Sequence, residues 1–559
     1  MSEQKNTTVY DQYLRGTEYK RRINLYSAVD ENYRYFQGNQ WAGVKANGLP
    51  TPVFNVIKPI INYKIANIAA SDAKIVYKST NINDAEAQQL SEVADILTKY
   101  AGQLYERTKM DSMSEQILKE AAITGNGLVY FYYSQSEGEV KGEIIDVTNV
   151  YPQNPNDNRV QSQESIIISF RRSVESVRRE AKANGFSDVS IITGDTDTGE
   201  LAGDKSKIEV DDHDMCIVLL KFWKDEKTGN VWFKKSVKNT DIIKDTDTGL
   251  KYYPLAMMTW EEQKNCFFGI SDVAPLISNQ DYINTIASMI MYSTTYTAFP
   301  KMVYDENVVD NPSNDIGEAI AVNGANQSIK NVIDFITPGS ISADAFNMFQ
   351  TTLQQTKELA GANDGALGNI NPEAASGKSI LAVAEQSAIP LESIRGRFYN
   401  FLEDVALIWS DMWCVYSQGG KEVSFENEDG ITESYMISAE AFSKLMLSIR
   451  IDVGATNRYS ELAVMQTLDN LLMNNMIPFE WWVQLQPDSS GLPKAKLTEL
   501  IEQQKQQSAM QQTAPPSDSD IDAILDSMTP EQQAQAIDNP EYLQEYISGM
   551  NGSTSSVTA

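Results

Sequence analysis

Apolar positions along this chain recur with two different periods, and the points where the period changes divide it into segments. Glu18–Phe36 carries apolar residues at helical spacing, until Gly38–Trp41 breaks the pattern. Pro52–Ser71 follows, and Pro59 is expected to open a helix there. Ala85–Thr124 reads as one long amphipathic helical region, with Leu90, Val93, Leu97, Ala101, Leu104 and Tyr105 on one stripe. Gly125-Asn126-Gly127 stops it, and Leu128–Tyr133 begins a strand. Residues 128–256 are mostly strand-like. Cys216–Trp223 and Val231–Lys235 flank a turn at Asp225–Asn230, while Ile242–Lys244 and Leu250–Tyr253 flank another at Asp245–Gly249.

The most informative stretch comes next. Ala274–Phe299 and Ile341–Gly361 both read as helices, spanning roughly 39 and 32 Å at the rise of an α-helix. Pro300–Ser340 separates them without a helical pattern. Two rods of similar reach joined by a compact tip describe a strut rather than a catalytic cleft. A glycine-rich loop, Gly361–Ser379, leads into a long helical stretch to Ser417, with a kink expected at Pro390. Val423–Gly454 returns to mixed strand and helix. Asn457–Gln507 is helical again, with Trp481 and Trp482 expected in a core. No lysine or arginine follows Lys505, so the end of the chain reads as an acidic, flexible tail with short helices such as Ile521–Met528.

Composition narrows the function classes. At 559 residues the chain is long enough for several layers and a sizeable core. Acidic residues outnumber basic ones by 76 to 46, a formal charge of −30, which argues against gripping a nucleic-acid duplex with a broad basic surface. It does not argue against DNA sliding past, because an acidic wall repels phosphate. No run of about 18 apolar residues exists, so no membrane span is expected. The nearest candidate, Ala274–Phe299, is interrupted by Asn279, Gln280, Asp281 and Asn284. The first residues lack a basic segment followed by an apolar one, so secretion by that route is not expected.

Candidate chemistry is sparse. Cys216, Cys266 and Cys414 are odd in number and far apart, which fits neither a disulfide framework nor a thiolate zinc site. The single histidine, His213, lies among Asp211, Asp212 and Asp214 in what reads as a solvated turn. DTDTG occurs at Asp195–Gly199 and Asp245–Gly249. A calcium loop would need glycine at its sixth position and glutamate at its twelfth. Those places hold Glu200 and Ser206, or Leu250 and Ala256, so both read as polar turns. Gly377-Lys378-Ser379 resembles the end of a phosphate-binding loop, but Pro372 occupies the position of its leading glycine. Lys301, Lys330 and Lys357, near the ends of the strut and its tip, could meet phosphate or simply be solvated. No constellation carries catalysis, and no cofactor or metal is expected.

The order of segments is itself a signal. Tyr33–Trp41 (YRYFQGNQW), Ala121–Tyr133 (AAITGNGLVYFYY) and Asn149–Asp157 (NVYPQNPND) precede Phe268–Met291 (FGISDVAPLISNQDYINTIASMIM). Then come Asp310–Val322 (DNPSNDIGEAIAV), Val332–Phe346 (VIDFITPGSISADAF) and Gly365–Asp404. Over roughly residues 20–500 this succession resembles the portal, or head-to-tail connector, proteins of tailed bacteriophages. The resemblance implies an α+β, mainly helical portal fold with wing, stem, clip and crown, assembled as a ring. On that layout residues 1–50 are an N-terminal arm and 51–273 the wing. The two stem helices are 274–299 and 341–361, and the clip between them is 300–340. Residues 362–379 are a tunnel loop, 380–420 a long kinked helix into the wing, 421–455 a wing return, 456–507 the crown and 508–559 the acidic tail.

The resemblance further implies a non-enzymatic ring, a dodecamer, at one capsid vertex of the virion, assembled in the bacterial cytoplasm. Double-stranded DNA would pass through its channel. The terminase large subunit, a head–tail adaptor, the major capsid protein and a scaffolding protein are the implied partners. Asp364, Asn369, Asn371, Glu373, Lys378 and Lys357 are the candidate DNA-facing residues. Asp310, Asn311, Asn314, Asp315 and Lys330 are the candidates for docking the motor or adaptor. Ile277, Ile283, Ile286 and Ile290 are the candidates for packing between subunits, with Asn279, Gln280, Asn284 and Thr294 facing a wet lumen or a partner. A phage neck or tail adaptor is the alternative reading, and an NTP-binding enzyme a more distant one.

Overall fold

The computed structural model describes residues 8–69, 73–79, 85–186, 188–194, 215–298, 301–306, 333–336, 343–362, 389–416, 421–426, 432–437, 447–452, 458–474, 476–486, 493, 496–498, 500–501, 524–530, 532–533 and 535. It divides into a larger unit, Met1–Thr456, and a smaller one, Asn457–Ala559. The fold is mixed α and β.

The N-terminal helical pattern resolves into two helices, α1 (Val9–Arg22) and α2 (Leu25–Gln37). Asn24 separates them in the left-handed conformation, which asparagine tolerates better than most residues. The adjacent Lys20, Arg21 and Arg22 do not form one basic surface. Lys20 is buried, its Nζ donating to the Thr148 carbonyl at 2.7 Å and lying 3.4 Å from the Tyr151 ring centroid. Burial holds its amine well below the ordinary lysine range. Tyr35 and Phe36 of α2 join the main core of the larger unit.

Helix α3 (Ile57–Ala69) is followed by strand β1 (Lys74–Ser79). The long amphipathic stretch splits at Lys109, also left-handed, into α4 (Ala85–Arg107) and α5 (Met110–Thr124). Met110, at the start of α5, is fully buried. The glycine turn and aromatic strand form as read: Gly125 ends α5, and β2 (Asn126–Ser134) follows. Strand β2 is the centre of a three-stranded antiparallel sheet between β3 (Glu139–Ile145) and β9 (Leu255–Thr259).

The second sheet has five antiparallel strands in sequential order: β4 (Val150–Pro152), β5 (Ser165–Ser173), β6 (Met215–Lys224), β7 (Val231–Ser236) and β8 (Asp241–Asp247). Helix α6 (Val174–Ala183) follows β5. The Asp225–Asn230 turn joins β6 to β7 as expected. The hairpin expected around Asp245–Gly249 does not form. Strand β8 pairs with β7, and Leu250–Tyr253 is a loop that buries Leu250 and Tyr253. The Asp411 carboxylate replaces the missing strand, accepting from the backbone N–H groups of Lys251 at 2.7 Å and Tyr252 at 3.0 Å. Burial raises the Asp411 pKa, partly offset by these donors.

A 3₁₀ turn at Ala274–Leu276 opens α7 (Ile277–Ala298). Strands β10 (Lys301–Tyr304) and β11 (Ile333–Ile336) form a four-residue antiparallel ladder, and α8 (Ala343–Leu359) follows. Pro390 does not kink a helix interior among the described residues. It lies in the 3₁₀ turn Ile389–Leu391 that opens α9 (Glu392–Tyr416), where a missing N–H costs nothing. Helix α9 contributes Phe398, Phe401, Trp409 and Trp413 to the core. Strands β12 (Lys421–Glu426) and β13 (Thr432–Ile437) pair with each other, and β14 (Leu447–Asp452) pairs with the distant β1. The smaller unit holds α10 (Arg458–Met473) and α11 (Phe479–Leu485). Trp481, expected in a core, is 59% exposed, and Trp482 donates from its indole nitrogen to Asp469 at 3.0 Å.

The α5–β2 junction admits no side chain at its turn. Gly125 has φ of +97°, and an added Cβ would collide with the Gly269 carbonyl oxygen. Gly125→Ala is therefore expected to destabilise the larger unit by at least about 1–3 kcal/mol from backbone strain alone. A melting temperature within a degree of the parent would contradict this.

Candidate functional site

Helices α7 and α8 pack side by side, and the β10–β11 ladder closes the hairpin at their far ends. At 22 and 17 residues they measure roughly 33 and 26 Å, somewhat shorter than the sequence pattern suggested.

The base of α7 is fixed by polar contacts from the N-terminal layer. Lys64 pairs with Asp272 at 2.7 Å, with both side chains largely buried. The Asn32 amide donates to the Ile123 carbonyl and to Ser271 Oγ, while that oxygen accepts from the N–H groups of Val273 and Ala274. One turn into α7, the Tyr35 hydroxyl donates to Asp281 at 2.5 Å. Burial first, and this carboxylate second, push the phenol up to about 12.

Above that base, the polar stripe of α7 meets an extended strap made by residues 50–56. Gln280 accepts from Val56 N–H at 2.9 Å and donates to the Phe54 carbonyl at 2.8 Å. Asn284 accepts from Phe54 N–H at 3.1 Å and donates to Gln40 at 2.6 Å. Ser288 donates to the Pro50 carbonyl at 2.5 Å. The spacing of four residues puts one donor–acceptor group per helical turn against the strap.

These contacts correct part of the sequence reading. Gln280 and Asn284 face neither lumen nor partner; they are 1% and 2% exposed within one chain. Ile283 is fully buried and Ile286 nearly so, so these two seal the chain's own core. Ile277 and Ile290 are half-buried. The opposite face of α7 is exposed and carries Ser278, Tyr282, Thr285, Met289 and Tyr292, spaced alternately by four and three residues. Tyr282, Met289 and Tyr292 are 45–57% exposed. That stripe was present in the sequence, but the isoleucines beside it carried the stronger apolar signal.

Among the other candidates, Lys357 is half-buried on α8. Asp364, Asn369, Asn371, Glu373 and Lys378 lie outside the described residues, as do Asp310, Asn311, Asn314, Asp315 and Lys330. So do His213 and residues 195–199. The three cysteines are free thiols. Among the described residues no group of three or more His, Cys, Asp or Glu is placed to hold a metal ion, and no helix is long and apolar enough to cross a membrane.

Two clefts open in the larger unit. One, of about 260 Å³, is lined by Arg15, Tyr19, Lys20, Tyr151 and Gln153 among others. The other, of about 290 Å³, has a wall of Arg397, Asn400, Phe401 and Asp404 from one face of α9. Burial, then the neighbouring Glu403, push the Asp404 carboxyl up to about 6.

The sequence matches the family model described as Phage P22-like portal protein over residues 167–545, more than half of the chain. The chain belongs to this portal family. No curated protein matches it. The matched region contains α7, α8, the β10–β11 ladder and α9. The strap, with Pro50, Phe54 and Val56, and Gln40 before it precede the match. The family is structural rather than enzymatic.

Two expectations follow. Asn284→Ala removes the acceptor for Phe54 N–H and the donor to Gln40. Leaving such groups unpaired costs about 1–3 kcal/mol, and amide exchange at Phe54 should accelerate at least tenfold. Unchanged exchange would show that the strap is held by other contacts. Asp404, with its folded pKa raised above the unfolded value, binds its proton more tightly when folded. Its contribution to stability therefore falls as pH rises from about 4 to about 6. Asp404→Asn should flatten that window and melt no lower than the parent at pH 7; an unchanged pH profile would contradict it.

Proposed function

We propose that this portal chain assembles into a dodecameric ring at one capsid vertex, through which double-stranded DNA is packaged and later ejected. In this reading the ring docks the terminase large subunit during packaging and a head–tail adaptor afterwards, and contacts the major capsid and scaffolding proteins. The observation that carries it is the exposed Tyr282–Met289–Tyr292 face of α7. The opposite face is consumed by the strap and core, while this one presents apolar side chains to water at the spacing of a helix–helix seam. A second copy of the same stem supplies the missing surface, and a head-to-tail contact of this kind closes into a ring when its rotation divides the circle.

The family match supports the remaining assignments. Residues 51–273 with 421–455 form the wing, 300–340 the clip, 362–379 the tunnel loop and 456–507 the crown. The β10–β11 ladder at the far end of the stem is consistent with a clip between its helices. The clip, with Asp310, Asn311, Asn314, Asp315 and Lys330, meets the motor or adaptor. Asp364, Asn369, Asn371, Glu373, Lys378 and Lys357 face the DNA. A formal charge of −30 on each chain suits a channel along which a phosphate backbone slides without sticking.

Negative-stain imaging and mass photometry of the purified protein test this reading, and rings with a central channel are expected. Met289→Glu places a desolvated charge in the seam. It should shift the population from rings to monomers while the circular dichroism of the chain is unchanged. Rings that survive this substitution undiminished would remove α7 from the interface, and absence of rings from the parent chain would overturn the ring itself.

A further inference from the structure

Asparagine followed by glycine is a reactive pair, because no side chain on the glycine hinders its nitrogen from reaching the asparagine amide. Among the described residues the pair occurs three times, at Asn47-Gly48, Asn126-Gly127 and Asn184-Gly185. The fold restrains two of them. Asn126 is 1% exposed, its side-chain oxygen accepting from Gly269 N–H at 2.7 Å and its nitrogen donating to Thr259 at 3.0 Å. Gly127 is held in the pairing of β2 with β9. Asn184 is exposed, but it caps the end of α6, and Gly185 N–H donates to the Lys182 carbonyl at 3.1 Å. Asn47-Gly48 has neither restraint. It forms the exposed corner of a turn in which Leu49 N–H donates to the Ala46 carbonyl at 2.9 Å. Asn47 has φ of +49° and Gly48 of +86°, the left-handed pair that such a turn requires. Among the described residues nothing accepts from Gly48 N–H and nothing binds the Asn47 side chain. A Cβ added at Gly48 would meet no atom within 4 Å, so the corner stands clear of the rest of the chain.

We propose that Asn47 is a modification site of the folded chain, where the side-chain amide is lost through attack by its own backbone. Gly48 nitrogen gives up its proton to solvent and attacks the side-chain carbonyl carbon of Asn47. A carbon–nitrogen bond forms there, the bond from that carbon to the side-chain nitrogen breaks, and the nitrogen takes up a proton and leaves as ammonia. Water then opens the five-membered imide at either carbonyl. One opening leaves aspartate; the other leaves isoaspartate, with the main chain running through the former side chain. The turn is closed by one backbone hydrogen bond, so the rotation that brings Gly48 nitrogen onto its target breaks little else. Either product adds a carboxylate to a chain already at −30. Isoaspartate also lengthens the main chain by one methylene, inside a loop whose ends are both pinned to α7: Gln40 accepts from Asn284, and the Pro50 carbonyl accepts from Ser288.

The test uses the full-length chain, folded, in mildly alkaline buffer made with ¹⁸O-water. Samples taken over time are digested in ordinary water and read by mass spectrometry. Solvent oxygen in a peptide then marks conversion during the incubation rather than during digestion. Electron-transfer fragmentation separates isoaspartate from aspartate at each site. The same incubation is run on the chain unfolded in urea, and on Asn47→Gly, which removes the side chain and tolerates the left-handed turn.

In the folded chain Asn47 should convert at least about tenfold faster than Asn184 and Asn126, because those two sites must first open locally. Both aspartate and isoaspartate should appear at Asn47. In urea the three rates should converge, and Asn47→Gly should lose the label from its own peptide while keeping the parent's circular dichroism. Conversion at Asn47 no faster than at Asn184 in the folded chain overturns the inference. Aspartate formed without isoaspartate overturns it too, since direct hydrolysis would then replace the imide route.

Discussion

The placement of α7 depends on how an extended strap satisfies its backbone. Residues 50–56 form no strand, so their N–H and C=O groups have no ladder to join, and buried groups of that kind must find partners. Gln280, Asn284 and Ser288 supply them from one face of α7. Side-chain amides carry both a donor and an acceptor, which is why glutamine and asparagine can stand in for a neighbouring strand. The helix gains a fixed rotation about its own axis in return. Once the polar stripe is turned toward the strap, Ile283 and Ile286 must enter the core, and Tyr282, Met289 and Tyr292 must point away from it.

This constraint separates two roles along the same helix. Its base is tied to the N-terminal layer through Lys64–Asp272, Asn32–Ser271 and Tyr35–Asp281. Beyond Ser288 burial gives way to exposure: Met289, Met291, Tyr292, Thr294 and Thr295 are all exposed. Thr294 and Thr295 turn their hydroxyls back to the carbonyls of Ile290 and Met291, four residues earlier. Helix α7 is therefore anchored firmly at one end and sparsely packed at the other. An isolated helix of this length is marginal in water, so the outer half gains most from contacts a neighbouring copy brings.

Much of this was legible in the sequence, and the reasons for success and failure are physical. The helices α7 and α8, the α5–β2 junction and the β6–β7 hairpin were visible because each rests on local chemistry: helical period, a glycine stop, and a turn between apolar runs. The family order was legible across the same segments. What was not legible depended on distant partners. Asn24 and Lys109 break helices with no proline or glycine to announce it. Leu250–Tyr253 alternates like a strand, yet is a loop because Asp411, some 160 positions away, binds its amides. The polar stripe of α7 looked like a wet surface because asparagine and glutamine usually are one; only the strap, more than two hundred residues earlier, makes it interior.

That last case also bears on how the family match is read. The matched region contains α7 and α8 but not the strap that sets the rotation of α7. A helix with an isoleucine arc, a polar arc and a tyrosine–methionine arc has more than one plausible inner face, and its own sequence does not choose among them. The choice comes from residues 32–64, which lie outside the match and press against the base and inner side of α7. An α7 cut away from this layer would leave Gln280 and Asn284 without their strap partners, and turning them into water would carry Ile283 out with them. The N-terminal layer is thus what makes the outward Tyr282–Met289–Tyr292 face a fixed feature of the chain.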